Sequence, residues 1–65
     1  MTLAESRRVL HVAIMRMETA SAALVGGVTA ERLRDYVEAA ADAQMAHHAL
    51  LLAALERAKR TRGER

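Results

Sequence analysis

Three histidines, four carboxylates at helical spacing and a C-terminal cluster of cations are the residues of this 65-residue chain that could do chemistry. His11, His47 and His48 are its only imidazoles, and Gln44 is its only glutamine. Imidazole nitrogens bind transition metals, with methionine sulfur as a soft co-ligand, a role open to Met15 or Met45. They also change charge near neutral pH. Buried in a helix bundle, they fix register and oligomer state at some cost in stability. Arg7 and Arg8 stand at the same level of the chain and would repel a cation, and no carboxylate is placed to orient the rings. The reading adopted is a buried polar layer of His11, Gln44, His47 and His48. A metal-binding bundle is the alternative, and no metal or cofactor is assigned.

Glu31, Asp35, Glu38 and Asp42 fall within about 60° of one another on a helix. The like-charge pairs 31–35 and 38–42 each cost roughly 0.2–0.5 kcal/mol in an isolated helix. Arg32 and Arg34 offset part of that. Such a stripe is a solvated face in most settings. Carboxylates on facing helices also hold metals, but the Glu-x-x-His motif of those sites is missing. A third reading is docking of a basic segment from a neighbouring copy.

That basic segment is Arg57, Lys59, Arg60, Arg62 and Arg65. Residues 57–65 carry a net +4 and the rest of the chain −2, so the overall +2 is unevenly distributed. Cations in the last turn of a helix complement its dipole without any partner. They could also contact the phosphates of RNA or DNA, although no aromatic stacking residue or nucleic-acid motif accompanies them. Catalysis has little support. Ser6, Ser21 and the threonines have no positioned base, and the glycines form no phosphate loop. The chain is expected not to be an enzyme.

The elements that must position these residues are two helices. Thr2 and Glu5 have capping-box spacing, so a first helix is expected over about 3–25. Leu3, Leu10, Met17 and Leu24 recur every seven residues, with Ser6, Ala13, Ile14, Ala20 and Ser21 on the same face. Gly26-Gly27 stops that helix with a left-handed cap. Thr29 restarts it as an N-cap with Glu31 in the first turn, giving a turn at 26–29. The second helix is expected over about 30–60, followed by a basic tail at 61–65. At ~1.5 Å per residue the helices measure about 34 and 46 Å. An antiparallel hairpin then sets residue i of the first near 55−i of the second, which brings His11 level with Gln44.

The second helix carries two apolar stripes. Leu33, Val37, Ala40, Leu51, Leu55 and Ala58, edged by Tyr36 and Ala54, are read as the face that meets the first helix. Ala39, Ala43, Ala46, Leu50 and Ala53, with Val12 and Met15 of the first helix, are read as an oligomer interface, because small residues let backbones approach closely. The fold expected is all-α: an αα-hairpin that assembles into a four-helix bundle dimer or higher oligomer. Two helices and a Gly-Gly turn resemble the small RNA-binding hairpin dimers that control plasmid copy number, a likeness of architecture without a shared motif.

Composition sets the outer limits. A chain of this size gains little stability from one core and is normally supported by disulfides, a metal or oligomerisation. There is no cysteine and no Phe or Trp, and Tyr36 is the only aromatic residue. The longest uncharged stretch, Ala43–Leu55, falls short of the roughly 20 apolar residues that span a bilayer. No signal peptide is visible either, so a soluble, cytoplasmic location is expected. Nine arginines against one lysine, with abundant alanine, fit a GC-rich bacterial or phage gene. The expected function is that of a regulator, adaptor or assembly subunit whose first partner is itself. Another protein or nucleic acid is the alternative partner, and no membrane is involved.

Overall fold

The computed structural model describes residues 2–63 as two helices, α1 (Leu3–Val25) and α2 (Ala30–Gly63), packed against each other. Local chemistry sets their ends. The Thr2 hydroxyl accepts the Glu5 amide at 3.1 Å and donates to the Glu5 carboxylate at 3.0 Å, so the expected capping pair starts α1. Thr29 caps α2 in the same way, accepting the Arg32 amide at 3.1 Å.

The turn between them divides its work between the two glycines. Gly26 keeps a right-handed helical conformation, and its successor Gly27 reverses the chain at a φ of 148°. The Gly27 amide donates to the Leu24 carbonyl at 3.2 Å. A β-carbon on Gly27 would combine this unfavourable φ with a 3.1 Å approach to the Arg32 guanidinium. The α2 helix continues three residues beyond the expected end at Arg60, so most of the tail is helical. Glu64 and Arg65 lie outside the described residues.

The seam between the helices is built from small residues. Ser6, Ala13, Ala39, Ala43 and Ala46 are the buried positions, with Leu10 and Met17 packed against the alanine cluster. Large side chains of α1 therefore cover a shallow alanine face of α2, an interdigitation of large with small that lets the helices lie close. This corrects the assignment of the two α2 stripes. The stripe read as an oligomer interface is the intramolecular seam: Ala39 is 4% exposed, and Leu50 and Ala53 are half-buried beside it. Leu33, Val37, Leu51 and Leu55, read as the face that meets α1, are all exposed instead.

The molecule measures 56 × 15 × 14 Å, a rod one helix pair thick. Its radius of gyration is 15.7 Å, against about 11 Å for a compact domain of this length. Ala13 packs in one cluster with Ala43 and Ala46, and Arg16 reaches Asp42, so the helices pair close to the turn-based register, with the partners on α2 a few residues further along. Residues beyond Arg57 extend past the start of α1.

Candidate interaction surface

The arrangement offers three surfaces with distinct chemistry: the turn, the outer side of α2, and the projecting end of α2. At the turn, the C-terminus of α1 has no cation of its own in its last turn. Arg32 of α2 supplies one. Its guanidinium donates to the Gly27 carbonyl at 2.8 Å and to the Ala23 carbonyl at 3.3 Å, meeting the negative end of the α1 dipole. The sequence reading assigned Arg32 only to the carboxylate stripe. A usable signal existed, because a long side chain in the first turn of α2 leans back over the preceding residues.

The carboxylate stripe does not act as a unit. Asp42 pairs with Arg16 at 3.3 Å, a contact exposed on both sides and therefore of small energetic weight. Asp35 and Glu38 border an open groove with Val12, Met15, Arg16 and Ala39. Val12 and Met15 are exposed on α1.

The four residues read as a buried polar layer are all exposed in the hairpin. The helical repeat separates them. His11 borders the groove that holds Asp35 and Glu38, while Gln44 and His48 line the groove on the side of α2 turned away from α1. Within one hairpin the four do not form a layer, because a shared level along the axis does not fix the direction around each helix. Among the described residues no group of three or more His, Asp or Glu side chains is placed to hold a metal ion.

The outer side of α2 carries most of the exposed apolar surface. Leu33, Val37, Met45, Leu51, Leu52 and Leu55 are all exposed there. Val37, Ala41, Gln44, His48, Leu51 and Leu55 fall within about 80° of one another, on the side away from Ala39, Ala43 and Ala46. Ala41, Gln44, Met45, His48, Ala49 and Leu52 line a shallow groove on this side. A run of large apolar side chains exposed along one side of a helix makes this side a candidate interaction surface.

The projecting end carries Arg57, Lys59, Arg60 and Arg62, all exposed. Arg65, the fifth cation of the sequence reading, lies outside the described residues. Arg57 and Arg60 border a groove shared with Thr2, Glu5 and Ser6 at the start of α1. Neither helix is long and apolar enough to cross a membrane among the described residues. No family model, no curated protein and no solved structure matches this chain.

Proposed function

We propose that this chain is a non-enzymatic helical interaction protein that self-associates, serving as an adaptor, regulator or assembly subunit. One observation carries the reading. Among the described residues the buried positions are four alanines and a serine, whereas large hydrophobic side chains along both helices remain exposed. Burial of apolar surface supplies about 25 cal/mol per Å², and alanine and serine have little of it to contribute. Ordering a residue costs about 1–2 kcal/mol in backbone entropy alone. The hairpin by itself is therefore poorly supported, and association is the usual remedy in a small chain without cysteine.

The exposed area points the same way. The chain exposes 5293 Å². A compact monomer of 7.1 kDa exposes about 4,100 Å². The excess of roughly 1,200 Å² exceeds the ~800 Å² that each partner buries in a standard interface. Native mass spectrometry of the full chain tests the reading. A dimer or larger closed oligomer without added mass is expected, and a folded monomer at micromolar concentration would overturn it.

A second reading is favoured by the projecting basic helix end, which α1 does not cover: contact with the phosphates of a nucleic acid. Four cations would give salt-sensitive binding. Binding to a random RNA or DNA oligonucleotide should then weaken steeply with salt and disappear on truncation after Glu56. Unchanged binding by the truncated chain would exclude this use of the end.

A further inference from the structure

We infer that the outer face of α2 receives the same face of a second copy of this chain, with the two α2 helices antiparallel and Gln44 of each copy meeting the partner's His48. This rests on the self-association proposed above and specifies its surface and direction.

The spacing of the exposed face supports a second copy as its occupant. Val37, Ala41, Gln44, His48, Leu51 and Leu55 follow one another at intervals of 4, 3, 4, 3 and 4 residues. That alternation is the repeat of a helix–helix seam, and it reads the same in both directions. Two antiparallel copies related by a two-fold axis near Ala46 therefore match in register along the whole strip. Val37 meets the partner's Leu55, and Ala41 meets the partner's Leu51, which sets a small residue against a large one. Gln44 meets the partner's His48, so the two polar residues of the strip face each other rather than a leucine. A parallel pair would set each residue against its own kind, leaving leucine against leucine and alanine against alanine.

Charge selects the same direction. The first part of α2 holds Glu31, Asp35, Glu38 and Asp42, and its end holds Arg57, Lys59, Arg60 and Arg62. Arg32 is turned onto the carbonyls of the turn, and Asp42 is engaged by Arg16. The antiparallel register brings residues 57–61 of one copy level with 31–35 of the other, so the basic end of each α2 runs alongside the acidic start of its partner's. The same register brings Arg34 within a turn of the partner's Glu56. A parallel pair would gather the basic ends of both copies together, a like-charge arrangement that disfavours it.

The absence of native cysteine makes site-directed crosslinking clean. Val37 and Leu55 are 62% and 50% exposed, so Val37→Cys and Leu55→Cys leave the intramolecular seam untouched. The two variants are oxidised separately and as a mixture, with native mass spectrometry of each. Ala41→Cys and Leu51→Cys form a second pair that retains both end residues of the strip. The expected result is a covalent dimer at least ten times more abundant in each mixture than in either variant alone. Strong self-crosslinking of Val37→Cys would show a parallel pair and overturn the inference. A non-covalent dimer without a crosslink in either mixture would place the interface elsewhere, overturning the inference while self-association stands. A monomer without crosslinks would overturn both.

Discussion

The two faces of α2 are made of different residues and have opposite fates. The face toward α1 presents Ala39, Ala43 and Ala46 and is buried, while the face away from it presents Val37, Leu51 and Leu55 and is exposed. Apolar character is present on both, so hydrophobicity alone does not say which face is inside. Side-chain size decides how close a neighbouring backbone can come. Alanines admit α1 closely and keep the rod 14–15 Å thick. The larger side chains retain the transfer energy that the hairpin leaves unused, roughly 1.5–3 kcal/mol for each one fully covered. The inner face sets the geometry of the hairpin, and the outer face holds the apolar surface that would drive the proposed association.

Substitutions can break that contrast in order of size. Ala43→Leu inserts a branched side chain into the closest part of the seam. Overpacking of this kind costs about 1–3 kcal/mol, and the helicity measured by circular dichroism should collapse at a visibly lower temperature. Leu51→Ala combined with Leu55→Ala should leave the seam intact and weaken the dimer. The loss, near 1.4 kcal/mol or more in each copy, is incurred twice in the dimer and corresponds to at least about a hundredfold rise in dissociation constant by sedimentation.

Smaller changes sharpen the account of the turn and surface. Gly27→Ala places a side chain at a φ of 148° and 3.1 Å from the Arg32 guanidinium. A strained backbone of this kind costs about 1–3 kcal/mol, read as a lower thermal midpoint. Arg32→Ala removes the donor to the Ala23 and Gly27 carbonyls, and a loss of about 0.5–1 kcal/mol is expected, partly suppressed by salt. Arg16→Ala breaks an exposed ion pair and should change stability by less than ~1 kcal/mol. A large effect of Arg16→Ala would show that the pair is covered in the assembled protein.

Helix ends were legible in the sequence because their chemistry is local: Thr2 with Glu5, Gly26-Gly27 and Thr29 each act within a few residues. The α1 face was legible for a related reason: Leu3, Leu10, Met17 and Leu24 recur every seven residues on one stripe with Ser6 and Ala13, and Val12 and Met15 outside it do not repeat along the helix. The inner face of α2 was not. Its two apolar stripes compete, and the larger side chains carry the greater hydrophobic signal while the alanines make the closer contact. The choice between them rests on the geometry of the turn, where the Gly27 conformation and the Arg32 hook set how α2 leaves α1. The same rotation turns Gln44 and His48 outward and dissolves the expected polar layer within one chain.

The most direct measurement is the thermal unfolding of the full chain by circular dichroism over a hundredfold range of concentration. A hairpin that depends on a second copy gains stability by mass action, so its midpoint rises with concentration. The account predicts that rise, with helicity lost on dilution. A sharp transition at a midpoint independent of concentration, in a chain shown to be monomeric, would mean that the alanine seam suffices alone and would contradict it.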